Sequence, residues 1–308
     1  MTPIETPPER KKLKRNDRKL NRSLIKTVIV TVTGAINALV STLTGFGAHV
    51  SFSPMLTWML GFNAEKAQAS ALNYAVFASA IGFFVTAMIQ KNIGMLAGRG
   101  ALMFVGATAG VIAFSQFAPK PQDVNRRRLM QTLGLFLAIF VGRQIPLLSK
   151  LTESSIHFAL YDQWWQIVLI GVAVGAVTQT SGLVSGVVMF PAIWMLTGVE
   201  EKGVLRGSNP YETVGICLFV VFLASLLPAW GYYQKGVADR VYANASFAGA
   251  LIGGVIGGLT LTNLLERAVV TLFTILSILL VGSELYRLFW NSLPTVASPE
   301  KIDNDDTT

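Results

Sequence analysis

The sequence predicts an all-α transmembrane protein made of two homologous helical repeats. Each repeat is a broken or re-entrant helix pair followed by three spans, about 8–10 transmembrane segments in all. Three observations predict it. Of the 308 residues, 52% are hydrophobic and only 14% are charged, where a soluble domain carries about 25% charged residues. An apolar stretch occurs twice, GAINALVSTLTGFGAHVSFSPMLTWMLG from Gly34 to Gly61 and GVAVGAVTQTSGLVSGVVMFPAIWMLTG from Gly171 to Gly198. A shift of 137 positions pairs Gly34 with Gly171, Gly45 with Gly182, Pro54 with Pro191 and Gly61 with Gly198. Finally, nine Lys/Arg lie between Arg10 and Lys26, directly before the first apolar run. That asymmetry places the N-terminus in the cytoplasm.

Residues 1–23 are polar, charged and Pro-containing. They cannot bury a core and read as a basic, disordered cytoplasmic tail. The charged region is too long for a signal peptide and no A-x-A-like cleavage site follows it, so it reads as uncleaved. The first repeat covers 24–149. It opens with an apolar run from Leu24, broken at Gly45-Phe46-Gly47 and continuing to Phe62. A break inside a membrane helix frees backbone N–H and C=O groups that lipid cannot satisfy. The 39 residues from Leu24 to Phe62 make either two short crossings or one crossing with a re-entrant hairpin. Spans follow at Ala67–Ile89, Gly98–Phe117 and Leu129–Leu148, with Arg126-Arg127-Arg128 as a boundary anchor. The Gly98–Phe117 run is rich in Gly and Ala, which lets helix backbones approach closely.

A polar connection, 150–163, divides the repeats. The second repeat covers 164–290: a broken run Trp164–Leu196, then spans Val204–Trp230, Val241–Leu261 and Ala268–Trp290. Gly249, Gly253, Gly254, Gly257 and Gly258 form another small-residue face, and 291–308 is an acidic tail. Ten crossings make the halves inverted relative to one another; eight make them parallel.

Several pieces together resemble the sulfite exporter family TauE/SafE. They are Gly45-Phe46-Gly47 through Pro54, Ala67-Gln68-Ala69-Ser70 and Gly110 in the first copy. The second copy supplies Gly182 through Pro191, Gly207-Ser208, Gly236-Val237-Ala238-Asp239 and Gly253-Gly254. The resemblance spans roughly residues 28 to 290. Members commonly carry a G-[IL]-G-G-G run where this chain has Gly45-Phe46-Gly47-Ala48-His49 and Gly182-Leu183-Val184-Ser185-Gly186. The resemblance implies a multi-pass plasma-membrane transporter that exports or takes up sulfite, sulfonates or related small anions.

Paired breaks in corresponding halves are the sequence pointer to a transporter's substrate site. An anion crossing a low-dielectric region needs replacements for its hydration, and N–H groups at half-helix N-termini supply them. Gly45, Gly47, Gly182 and Gly186, with Ser51, Ser53 and Ser185, are the expected anion contacts. Arg206, followed by Gly207-Ser208-Asn209-Pro210, adds a guanidinium able to hold an oxyanion by two hydrogen bonds. The competing readings for Arg206 are an interfacial position or a pair with Glu212. Its positional mate is Gln68, beside Ser70 and Asn73, so Ser70, Asn73, Ser208 and Asn209 join the candidate site. His49 lies in the first break, where a group titrating near neutral pH suits proton coupling; a packed, hydrogen-bonded histidine is the alternative.

The net charge of +8 is concentrated at one end and reads as membrane orientation, with no nucleic-acid partner. The chain has two His and one Cys and no H-E-x-x-H, P-loop or G-x-S-x-G, so neither enzyme, metal site, cofactor nor ATP-driven pump is expected. What remains is secondary transport of a small anion coupled to protons or Na+, by alternating access around a midplane site. An anion channel of the same fold, or a carrier of a non-sulfur carboxylate, is the alternative. The bilayer is a partner, and the oligomeric state is left open.

Overall fold

The computed structural model describes residues 7–117, 164–181, 185–196, 199–201, 204–206, 209–237, 240–265, 268–279 and 282. They are helical almost throughout. In chain order the helices are α1 Pro7–Thr44, α2 His49–Leu60, α3 Ala64–Gln90, α4 Ile93–Ala113, α5 Trp164–Ser181, α6 Ser185–Leu196, α7 Pro210–Gln234 and α8 Arg240–Leu261. A ninth helix, α9, covers Ala268–Leu279. A three-residue-per-strand antiparallel hairpin, β1 Val199–Glu201 and β2 Val204–Arg206, precedes α7. Five helices (Leu24–Thr44 of α1, Glu65–Gln90 of α3, α4, α7, and Val241–Leu261 of α8) are long and apolar enough to cross a membrane. α2 and α6 have 12 residues each, about 18 Å of helix against a ~30 Å hydrocarbon layer. The expected span Leu129–Leu148, the Arg126–Arg128 anchor, the 150–163 connection and the 291–308 tail lie outside the described residues.

Local chemistry explains where the helices start and stop. α1 runs back to Pro7, through the stretch where composition predicts disorder. Lys, Arg, Glu and Leu are good helix formers, and each adds one hydrogen bond to a helix already nucleated in the apolar segment. Asn63 caps α3, its side chain accepting from Lys66 N at 2.9 Å. α3 ends on Lys91, whose φ of 56° is the left-handed stop. α4 starts at Ile93, ahead of the expected Gly98, which brings Arg99 inside the helix. α7 starts at Pro210 rather than Val204 because the residue before a proline avoids the helical region and proline suits the first helical position. Asn209 caps it, accepting from Tyr211 N at 3.0 Å.

Contact positions fix the direction of each helix. Gly249 lies against Thr31 and Ala35, Gly253 against Ala35, and Gly257 against Leu39 and Thr42, so α8 runs parallel to α1. Ile81 meets Gly254 and Val85 meets Gly258, so α3 is parallel to α8. Tyr74 donates its hydroxyl to the Gly34 carbonyl while Thr42 sits on Gly82, which makes α1 and α3 parallel too. α2 between them therefore descends, with Phe52 stacked on Tyr74 at 4.1 Å. On the other side, Gly106 meets Val168 and Gly171, and Gly110 meets Val172 and Ala176, so α4 and α5 are parallel. Leu96 packs on Gly215 and Phe219 on Gly100, adding α7 to that direction. α3 and α4 are joined through the Lys91-Asn92 turn, so the two sets run oppositely. α3 and α7 meet where Gly82 faces Leu218 and Phe83 faces Phe219.

Candidate functional site

α1 stops at Thr44, and the amide of Gly45 donates back to the Ser41 carbonyl at 2.7 Å. Gly45 (φ 68°) and Gly47 (φ 83°) then take left-handed conformations that glycine alone adopts freely. Residues 45–48 are all buried. A β-carbon on Gly45 would stand 2.9 Å from Cys217 Cβ and 3.4 Å from the Val214 α-carbon, so the break rests directly on α7. Ala48 opens α2 in a helical conformation without any side-chain cap. Phe46 packs on Phe273 at 5.2 Å, and Phe273 stacks on Phe190 at 4.3 Å. A single ring on α9 thus ties the first break to the short helix α6.

The depth of this break follows from its neighbours. Val214 and Cys217 lie one to two turns inside α7, so Gly45 sits off centre, toward the face where α7 begins. α2 leads back from it toward the centre, to the Phe52–Tyr74 stack.

Hydroxyls in these helices fall into two groups. Thr31, Thr33, Thr44 and Thr213 hydrogen-bond a carbonyl three or four residues earlier, the ordinary resting place of a helical hydroxyl. The Ser41, Thr42, Ser70, Ser79 and Thr86 hydroxyls are buried without a hydrogen-bond partner among the described residues. So is that of Thr178, which stands 137 positions after Ser41. Each thus comes one turn before its break. Ser41 shares the face of α1 that carries Asn37 and Gly45, the face turned to α7.

The other expected site residues are spread over several places. His49 and Ser51 occupy the first turn of α2, and Ser53 follows, its carbonyl accepting from Thr57. Ser70 is buried and Asn73 half-buried on α3, about 20 Å below Gly45 by the α1–α3 register. Ser185 and Gly186 begin α6, and Arg206 ends β2. Asn209 is exposed and engaged in its cap. Gly182 and Ser208 lie outside the described residues. The structure therefore gathers Gly45 and Gly47 with Phe46, Ala48 and Cys217, and holds Ser70 and Asn73 apart from them.

Sequence reasoning passed over one charged pair. Arg99 Nη1 lies 3.5 Å from Glu212 Oε2, each side chain about a quarter exposed, so the Glu212 carboxylate is engaged by α4. The signal for it is a charged residue within a Gly-rich apolar run. Among the described residues no cluster of three His, Cys, Asp or Glu side chains could hold a metal ion. No protein-family model, no curated protein and no solved structure matches this chain.

Proposed function

We propose that this chain is a secondary transporter of a small anion, such as sulfite, an organosulfonate or a related sulfur compound. On this reading it sits in the plasma membrane, as the resemblance to the sulfite exporter family implies, with its N-terminus in the cytoplasm, as the Lys/Arg run before the first span indicates. The observation that carries the reading is the buried break at Gly45–Ala48. Two left-handed glycines there release a short helix whose first residues start from a buried segment inside the bundle. The positive end of a helix dipole in such a place suits an anion stripped of water. The unpartnered Ser41 hydroxyl, one turn before, offers a further donor.

The helix directions support the inverted, ten-crossing plan. α1 matches α5 at a shift of 137 positions, yet α5 runs opposite to α1. The apolar run 129–148, read as a span from the sequence, completes that plan. On this reading His49, at the start of α2, is the residue assigned to proton coupling and Arg206, at the end of β2, the one assigned to recruiting the anion; Na+ is the other coupling ion. The chemistry is carriage, with no bond made or broken.

The test is flux in proteoliposomes of the purified protein. Sulfite, sulfate, thiosulfate, taurine and sulfoacetate are each supplied with and without an imposed pH gradient, using wild type, Gly45→Leu and Arg206→Gln. Saturable, gradient-driven flux of one anion, lost in Gly45→Leu with the protein still monodisperse, is the expected result. Flux indifferent to the gradient and without saturation makes the protein a channel. No flux of any of the five discards the sulfur-anion assignment.

A further inference from the structure

α1 ends inside the bundle, one residue before the Gly45 break. Leu43 and Phe46 there share a core with Phe83 and Ala87 of α3 and with Cys217 and Leu218 of α7. A helix that stops leaves its last carbonyls without partners inside the helix, and a negative partial charge at that end. The Ser41 carbonyl takes the Gly45 amide, and the last turn holds no basic side chain to offset the charge. Thr44 turns its hydroxyl back to the Val40 carbonyl. Ser41 and Thr42, in the same turn, do not. Both of their hydroxyls are buried and without a hydrogen-bond partner among the described residues.

Two more such hydroxyls come from α3. Thr42 directs its oxygen at Gly82: Oγ1 lies 2.6 Å from where a β-carbon on that glycine would stand, and its methyl 3.2 Å. Leu218 of α7 closes the same spot at 3.3 Å. Because α1 and α3 are parallel, Thr86, one turn past Gly82, stands level with Phe46 at the break. Ser79 lies about one turn before Gly82. At about 100° per residue, both fall between the bearings of Gly82 and Phe83. That is the side of α3 turned to α7, where Phe83 meets Phe219. Ser79 and Thr86 are also buried without a hydrogen-bond partner among the described residues. Four bare hydroxyls, from two helices, thus turn to the junction of α1, α3 and α7.

A buried polar side chain left unpaired costs stability, and such groups are as a rule paired. Hydroxyl oxygens beside the negative end of a helix are ligands for a cation, the arrangement that broken membrane helices use for coupling ions. These ligands are neutral, so the charge they suit is single; Ca2+ and Mg2+ take carboxylates. The nearest carboxylate along α7, Glu212, is engaged with Arg99 of α4. We propose that the end of α1 binds one Na+ ion, held by the hydroxyl oxygens of Ser41, Thr42 and Thr86 and the carbonyl end of the helix, with Ser79 one turn deeper. The Ser41 hydroxyl can serve both sides of the break, its lone pairs on the cation and its proton toward an anion at the start of α2. That this ion drives anion flux rests on the transporter reading; that it binds does not.

The test is thermal unfolding of the purified full-length protein, exchanged into choline chloride and titrated with NaCl or KCl at constant ionic strength. It compares wild type, Ser41→Ala, Thr42→Val, Thr42→Ser and Thr33→Val, the last because the Thr33 hydroxyl is already bonded to the Ile29 carbonyl. The expected result is a saturable rise in melting temperature with Na+ and not with K+, kept in Thr42→Ser and Thr33→Val. Ser41→Ala and Thr42→Val should need about tenfold more Na+ for the same rise. In choline alone these two should melt no lower than wild type, since each removes an unpaired polar group and leaves none behind. No rise in Na+, an equal rise in K+, or a rise untouched in both Ser41→Ala and Thr42→Val overturns the proposal and leaves the hydroxyls to buried water. Anion flux in proteoliposomes under an imposed Na+ gradient separates the two readings. A Na+ response without flux of any anion removes the transporter and leaves the cation site standing.

Discussion

Gly253 lies so close to Ala35 that a β-carbon on the glycine would fall on the alanine's carbonyl oxygen. Gly110 stands in the same relation to Val172. Gly253→Ala and Gly110→Ala should therefore each destabilise by about 1–3 kcal/mol, at the upper end because backbone cannot swing aside as a side chain would. Gly98→Ala and Gly231→Ala are the controls, since a β-carbon there meets nothing within 4 Å; they should stay within about 0.5 kcal/mol of wild type. Thermal unfolding in detergent, read by the loss of the monodisperse peak, compares all four. A Gly253→Ala protein that melts with the controls would mean that the α1–α8 seam opens easily.

The break at Gly45 combines two costs that can be separated. Its φ of 68° penalises any L side chain by about 1–2 kcal/mol, and a β-carbon would also press on Cys217 at 2.9 Å. Gly45→Ala should lower stability by both amounts. Cys217→Gly combined with Gly45→Ala should recover the steric part alone, so a double-mutant cycle should give a favourable coupling of about 1 kcal/mol. A cycle with zero coupling would show that the break can move off α7 without cost.

The breaks, the short helices and the two glycine-rich helices were legible in the sequence because each is a local pattern. A glycine at Gly45 inside an apolar run, or glycines spaced as Gly106 and Gly110 are, state what the backbone there must do. They do not state what they touch. Gly106 packs on Val168 and Gly249 on Thr31 because helices from different halves pair, and partner choice is a property of the assembled bundle. The same limit hid the Arg99–Glu212 pair, whose members are far apart in the chain. It also hid the cap that Asn209 forms on α7, for which the neighbouring Pro210 is the signal. In the basic stretch before Leu24, composition reports the lack of a core, whereas a helix already formed in the next segment extends at little cost.

The role of Asn209 separates capping from binding. Its Oδ1 accepts from Tyr211 N at 3.0 Å, and losing such a cap costs about 1 kcal/mol. Asn209→Ala should lower the melting temperature of the protein and, on the proposed transporter function, leave the KM for the anion unchanged. Asn209→Asp, which keeps the acceptor, should restore the melting temperature. A raised KM in Asn209→Asp at full stability would return Asn209 to the substrate site.

The ion pair between Arg99 and Glu212 bears on how deep the mouth of the bundle is wetted. α4 and α7 run parallel, and Leu96 beside Gly215 sets their register. That register puts Glu212 level with the start of α4, so Arg99 reaches back one to two turns to meet it. Long basic side chains reach toward water in this way. At 3.5 Å and a quarter exposed on each side, the pair resembles a solvent-accessible ion pair, worth up to about 1 kcal/mol and weakened by salt. Arg99→Gln, Glu212→Gln and the double variant should accordingly give a coupling below about 1 kcal/mol that shrinks as ionic strength rises. A lone charge in hydrocarbon would instead cost about 2.5–3.5 kcal/mol. The single variants would then be far less stable than the double, with no salt dependence, and the α7 entrance would have to be placed below the lipid surface.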